Sequence, residues 1–356
     1  MDIAHRRLAN LRLVADPLTD PAEVVRWLGA AQAQDFTGSL WSLGLRMTTA
    51  TERVLVAAYD AGAIVRTHVL RPTWHFVHPI DVRWMLALTA SRVHGVSRTQ
   101  YRRFDLDAAK LGRCQTIMAN ALEGGRHLTR EELGVALARK GVVDPQGLKL
   151  AVIVIAAELD GVLISGPRRG KHFTYALLEE RVPAAPRLSR DEALVELTRR
   201  YFTSRGPATV HDFARWSGLT VSDARVGLEA VRPTLISETH EGQTFWGPPS
   251  EATPARSGTF VFSVFDEYIA GYKDRSAICA EGHWERVVEA GNGLVFVIVL
   301  EGQVVGTWRR DLRAKTVEVT FHPFRRFTPA EKRAVLAALD RYGAFVGLSP
   351  QATWGA

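Results

Sequence analysis

One arrangement recurs three times along this chain: a capped amphipathic helix, a further apolar helix, a turn, and two short alternating segments that read as a hairpin. The helix starts are explicit. Thr129 precedes an amphipathic run and is followed three residues later by Glu132, the spacing of a capping box, and Thr209 with Asp212 repeats it more weakly. In the first copy Asp20 takes the N-cap and Pro21 the first helical position, where a missing N–H costs nothing. The follow-on segments also repeat. Residues 51–78 read as a helix, a stop at Gly62 and a hairpin; residues 148–177 as a helix, a turn at Gly161 and two strands around Gly166–Lys171; residues 224–247 as a helix and a hairpin with Glu241-Gly242 at its tip. Three helices and a two-stranded wing form the winged-helix plan, which presents a helix and a hairpin to DNA. The same modules also serve as structural or protein-binding units, because fold does not fix function.

The pattern changes after a linker expected near residues 248–258. Residues 258–265, 293–310 and 315–324 are β-rich, and one amphipathic helix opens at Thr328 and Pro329. The fold class expected is α+β, divided as 1–90, 91–182, 183–250 and a C-terminal β domain over 255–356. A chain of 356 residues buries a full core without staples, and its two cysteines, Cys114 and Cys279, form no CxxC. No signal peptide or membrane span is visible, which sets the expectation of a cytoplasmic protein without membrane partners. The 45 Lys and Arg against 38 Asp and Glu give +7. The excess is greatest over residues 91–180, with 14 basic and 10 acidic side chains, so phosphate contacts are expected there first.

No P-loop, GxSxG, HExxH or GxGxxG is present, and His68, His75 and His78 alternate in parity too irregularly to hold a metal, so no metal and no cofactor are expected. Two stretches stand out instead. Gln32 and Gln34 follow a helix of small and apolar residues. On a continuous helix they would point about 200° apart, whereas on an extended segment they project from one side. In Val69–Val77, Arg71, Thr73 and His75 alternate with Leu70, Trp74 and Phe76, and Pro72 confines such a strand to an edge or a wing. A polar face of this kind beside the paired amides would floor a pocket; a solvated hairpin is the alternative. At Gly166–His172 the basic tip offers Arg168, Arg169 and Lys171 to phosphate, with a plain solvated loop as the competing reading.

Taken together, Gln32-Ala33-Gln34, the Arg71–Val77 stretch, the segment Phe265–Arg275 and the run Val304–Arg310 resemble the bacterial winged-helix DNA glycosylases related to the azinomycin-resistance enzyme, the AlkZ/YcaQ-like family, over nearly the whole chain. The resemblance implies three tandem winged helices and a β domain forming a C-shaped clamp on double-stranded DNA. It implies catalysis by Gln32 and Gln34 on N7-alkylated purines, in some members on bulky genotoxin adducts or interstrand crosslinks, in base-excision repair or self-resistance. A sister branch carries a carboxylate at the second motif position; Gln34 places this chain on the two-glutamine side, with Asp35 directly adjacent. Asp266, Glu267, Tyr268, Tyr272, Asp274 and Arg275 match signature positions and are expected to close domains, with an Asp274/Arg275 network among them. Trp308, Arg309 and Arg310 are expected to reach DNA from a probing hairpin. An amide is no general base, so such a site suits a leaving group already activated by positive charge. The alternative is a non-catalytic winged-helix DNA-binding regulator. Such regulators usually dimerise on palindromic sites, and no heptad or dimerisation helix is visible, so a monomer is expected.

Overall fold

The computed structural model describes residues 2–185, 187–249, 258–291 and 295–355; most of the expected linker, 250–257, lies outside them. After α1 (Ile3–Asn10) come α2 (Pro21–Leu28), β1 (Ala30–Gln32), α3 (Phe36–Gly44), α4 (Glu52–Ala61), β2 (Val65–His68) and β3 (Trp74–Val77). The strands form an antiparallel sheet in the order β1-β3-β2. Local chemistry explains the breaks. The Asp20 carboxylate accepts from the Ala22 N–H to open α2, and Gly29, at φ +73°, ends it and frees the chain to extend. Thr51 caps α4, and Gly62 closes it in the left-handed region.

The order helix, strand, helix, helix, strand, strand then returns. It comprises α5 (Val82–Arg103), α6 (Ala108–Leu122), β4 (Leu128–Thr129), α7 (Arg130–Arg139), α8 (Gly147–Leu159), β5 (Leu163–Ser165) and β6 (Thr174–Leu177). Here α5 adds a long leading helix, and the sheet order β4-β6-β5 matches that of the first sheet. The Thr129/Glu132 capping box forms in full. After α9 (Leu178–Arg181), a third set comprises α10 (Arg190–Arg205), α11 (Val210–Ser217), α12 (Val221–Val231), β7 (Ile236–His240) and β8 (Gln243–Gly247). A bridge from Ala208 to Trp246 stands where the other two sets have their first strand.

The remaining elements are β9 (Thr259–Phe262), α13 (Glu267–Ala270), α14 (His283–Gly291), β10 (Phe296–Leu300), β11 (Gln303–Leu312), β12 (Thr316–Pro323), α15 (Pro329–Val346) and β13 (Ser349–Trp354). They form a five-stranded sheet, β13-β12-β11-β10-β9, antiparallel except where β13 runs parallel to β12. The architecture is α+β throughout.

Two apolar cores meet at β1. One joins Leu28, Ala31, Ala33, Phe36 and Trp41 to Val261, Trp308 and Tyr342 of the last part; the other joins Ala30, Val65 and Val69 to Leu194, Tyr201 and Trp216. Alternation along the extended chain explains the division: Ala31 and Ala33 face the first core, whereas Ala30 shares its side with Gln32 and faces the second. Small side chains are needed because the strand is buried on both sides.

Two sequence expectations are corrected here. Val69–Val77 is not one strand. Leu70 sits at φ +58°, so Arg71 and Thr73 belong to a turn and Pro72 lies ahead of β3, which begins at Trp74 and is the central strand, not an edge. Trp308 does not reach outward. It is fully buried, donates its indole N–H to the Phe262 carbonyl at 3.0 Å and packs against Phe296 and Tyr342, because its parity on β11 is that of Val304 and Gly306, facing the core.

Candidate active site

The pairing register builds the site. Gln32 on β1 lies opposite His75 on β3, which lies opposite Thr67 on β2, so the three side chains form one row across the sheet. The turn before β3 brings Arg71 to the end of that row, and Arg71 Nη2 donates to Gln32 Oε1 at 2.9 Å. The Ala33 N–H pairs with the Trp74 carbonyl at 2.7 Å, which continues the extended path past β1. Gln34 is exposed, and its Oε1 accepts from the Trp74 N–H at 3.2 Å. Gln32, Gln34, Arg71, Thr73 and His75 therefore gather in one place, with both amide carbonyls oriented by donors of the β3 segment. Each carbonyl oxygen retains a second lone pair, and each amide its NH₂ group.

Much of the polar capacity here is unspent. The Thr67 and Thr73 hydroxyls, both ring nitrogens of His75 and Arg71 Nε are buried and meet no partner within the protein. Buried polar atoms are rarely left so, and such a concentration marks a place adapted to something other than folding. Burial, followed by the charge of Arg71, holds the His75 imidazole well below its ordinary value, so it is neutral at physiological pH. Burial also lowers Arg71 and Arg66 from the ordinary arginine value.

The strand carrying Gln32 is held from three sides. Glu267, from α13, accepts the Gln32 N–H on Oε1 at 2.8 Å, while its Oε2 accepts from Arg205 Nη2 at 2.7 Å and from the Trp216 indole at 3.0 Å. Arg205 donates further to the Leu28 and Ala30 carbonyls at 2.7 and 2.8 Å. Arg66 Nε reaches the Ala33 carbonyl at 2.9 Å, and its guanidinium lies 4.1 Å from the centre of the Trp74 ring. The same ring also packs at a tilt against His68, whose Nδ1 lies 2.6 Å from Glu158 Oε2. Asp266 forms a two-point pair with Arg46 at 2.9 and 3.0 Å and accepts from Ser42. Asp266 thus clamps the first helices to the last part of the chain, and Glu267 ties β1 to α10 and α11. Asp274 and Arg275 do not pair: Asp274 accepts from Gln243 and the Ser276 N–H, whereas Arg275 donates to the Ile269 carbonyl.

The other expected residues lie apart from the glutamines or are engaged. Arg168 pairs with Asp60 at 3.6 Å and Arg169 with Glu132 at 2.7 Å; Lys171 is exposed and has no ion-pair partner among the described residues. Arg310 folds inward to Thr37 Oγ1 at 3.0 Å, with Asp35 at 4.0 Å, while Arg309 is exposed. A cavity of about 690 Å³ between α5 and the segment after α9, lined by Trp84, Asp160 and Arg187 among others, shares no residue with the cluster. Sequence reasoning did not single out Thr67, Arg66, Arg205 or Trp216. Their roles come from pairing across the sheet and between distant parts of the chain, and only the Glu267 signature pointed at one end of that arrangement.

The sequence pattern of the family described as "DNA glycosylase AlkZ-like" matches residues 25–345, which includes every residue of the cluster. An interstrand DNA cross-link repair glycosylase of Streptomyces sahachiroi is 24% identical over 360 residues, covering 94% of this chain and 92% of that protein. The solved structure of the Streptomyces sahachiroi DNA glycosylase AlkZ superposes with a TM-score of 0.81 at 22% identity, covering 99% of this chain and 98% of the other, and so shares its fold. With the family pattern spanning nearly all of the sequence, the chain belongs to the AlkZ-like DNA glycosylases.

Proposed function

We propose that the protein is a monofunctional DNA glycosylase that hydrolyses the N-glycosidic bond of cationic N7-alkylated purines in double-stranded DNA, with Gln32 and Gln34 at the reacting centre. The observation that carries this reading is that two oriented amides stand on one extended segment beside a cluster of unspent polar groups, while the nearby Glu267 has both oxygens engaged, by the Gln32 N–H and by Arg205 and Trp216. Asp35, next to Gln34, is turned to Thr37 and Arg310, and a site whose carboxylates are engaged in this way is poorly equipped to protonate a leaving group or deprotonate water. An N7-alkylguanine needs neither, because its ring already carries the positive charge that takes up the C1′–N9 bonding pair as the base departs. The sugar is left as an oxocarbenium ion. Gln34, exposed and with one free lone pair, is the group to hold the attacking water, and the Gln32 amide supplies a fixed dipole beside it. Water then adds to C1′, and its proton is released to solvent.

The three repeated sets are read as winged helices within 1–90, 91–182 and 183–250, followed by the β domain over 255–356. Together they would form a clamp on the duplex, contacted by Lys171 and the wing around it and by Arg309, with the protein acting as a monomer. The name of the Streptomyces sahachiroi relative extends the candidate substrates to interstrand DNA cross-links. The test is incubation of a duplex carrying one N7-methylguanine, followed by chromatography of the freed base and alkali cleavage of the abasic site. Release of the base with strand scission only after alkali supports the reading, and release no faster than spontaneous depurination defeats it.

A further inference from the structure

The buried arginines of this protein each have a group that takes up their charge, and the half-buried Arg71 beside Gln32 does not. Arg46 has Asp266, Arg205 has Glu267, Arg200 has Asp81 at 2.5 Å, and Arg7 has Asp212 at 3.9 Å. Arg66 has no carboxylate but is held by the Ala33 carbonyl and lies against the rings of Trp74 and Phe173. Arg71 has neither. Among the described residues no carboxylate comes within ion-pair distance and no aromatic ring lies under its guanidinium; its one hydrogen bond goes to the Gln32 amide, and its Nε is buried without a partner. Glu267, whose charge acts on Arg71, has both oxygens engaged elsewhere.

The turn that carries Arg71 is rigid. The Arg71 N–H reaches the Val69 carbonyl at 2.5 Å and the Thr73 N–H the Arg71 carbonyl at 2.7 Å, while Leu70 is in the left-handed region. The end of α11 is pressed against it: a Cβ at Gly218 would fall 2.2 Å from the Leu70 carbonyl oxygen and 3.3 Å from Arg71 Cγ. Arg215 lies in the last turn of α11, three residues before the Gly218 that packs on Arg71, and its charge opposes that of Arg71. Arg215 is exposed and has no ion pair among the described residues. Two like charges are thus near one another, and the acid beside them, Glu267, is already engaged by the Gln32 N–H, Arg205 and Trp216, which leaves room for a further anion.

A cationic alkylpurine is not that anion, but the strand that carries it is anionic. We propose that Arg71 and Arg215 form a subsite for a phosphodiester of the damaged strand, adjacent to the nucleotide held at Gln32. The proposal rests on the placement of that nucleotide given above. A planar guanidinium offers paired N–H donors that match phosphate oxygens. Binding there would draw the backbone toward the glutamines and add an anion beside the developing sugar cation.

The test is fluorescence anisotropy with duplexes carrying one 2′-fluoro-N7-methylguanosine, whose base is retained, with a neutral methylphosphonate placed singly at each of the two phosphodiesters on either side. For the parental protein, one position should weaken binding about tenfold. Arg71→Ala and Arg215→Ala should each bind the unmodified duplex about tenfold more weakly and lose less than about twofold further at that position. Arg71→Lys keeps the charge and should retain most of the methylphosphonate effect; Arg215→Ala alters only an exposed side chain, so its folding is not in question. Penalties of equal size in parent and variants, or no penalty at any of the positions, would overturn the subsite. The readout is binding, so a failure to release base would count against the glycosylase reading alone.

Discussion

Replacing Gln34 by alanine removes an exposed amide whose carbonyl accepts one long hydrogen bond, from the Trp74 N–H at 3.2 Å. That N–H lies at the surface and is re-solvated when the amide is lost, so the stability cost is at most about 1 kcal/mol. A dipole that acts on the transition state is worth more, on the order of 3 kcal/mol, or about a hundredfold in rate. Gln34→Ala is therefore expected to melt near the parental temperature and bind duplex with similar affinity, yet release N7-methylguanine about a hundredfold more slowly in single-turnover assays. Gln34→Asp, which restores a carboxylate at the position where the resembling sister branch has one, should retain more activity than alanine. If the folded alanine variant releases base at the parental rate, the assignment of Gln34 to the reacting centre is wrong.

Gln32→Ala differs, because Gln32 is 8% exposed and its loss strips Arg71 of its one partner; it should cost about 1 to 3 kcal/mol in urea unfolding as well as activity. Glu267→Gln breaks a buried pair and should destabilise by about 3 to 5 kcal/mol while also slowing base release; an unchanged unfolding midpoint would remove the clamp from the account. Lys171→Ala should reduce the slope of log affinity against log salt by about 1, and adding Arg168→Ala and Arg169→Ala should change it little further, because Asp60 and Glu132 already hold those charges; a drop of about 3 would show that both arginines leave their acids for phosphate. Because the folded pKa of His75 is depressed, the unfolded chain takes up a proton that the folded one does not once the pH falls below about 6.5. Stability should then fall with decreasing pH by about 1.4 kcal/mol per unit from this site, and His75→Leu should remove that part of the slope in thermal melts.

Local signals in the sequence carried the helix starts and the C-terminal strands. Thr129 with Glu132, Thr209 with Asp212, and Thr328 with Pro329 all cap helices where side-chain chemistry places them. Contacts between distant residues did not show. The small residues Ala30 and Ala31 favour helix locally, and their extension into β1 depends on pairing with β3 some 45 positions later. The polar stretch Ser349–Trp354 lacks strand alternation and becomes β13 only by lying parallel to β12. Arg310 read as a free cation, but on β11 it shares the parity of buried Trp308 and is drawn in over Phe296 and Tyr342. At the candidate site, the two glutamines and the alternating Arg71, Thr73 and His75 were visible as residues. Their convergence was not, because it depends on the turn at Leu70 and on a sheet register that brings Thr67 beside them.

The central claim is that two amides suffice because the substrate supplies its own activation. Its most direct measurement compares single-turnover release from otherwise identical duplexes holding either one N7-methylguanine or one uracil. The account predicts that N7-methylguanine is freed far above its spontaneous rate, that uracil stays in place, and that Gln34→Ala loses the first activity without gaining the second. Comparable release of the neutral base would contradict it.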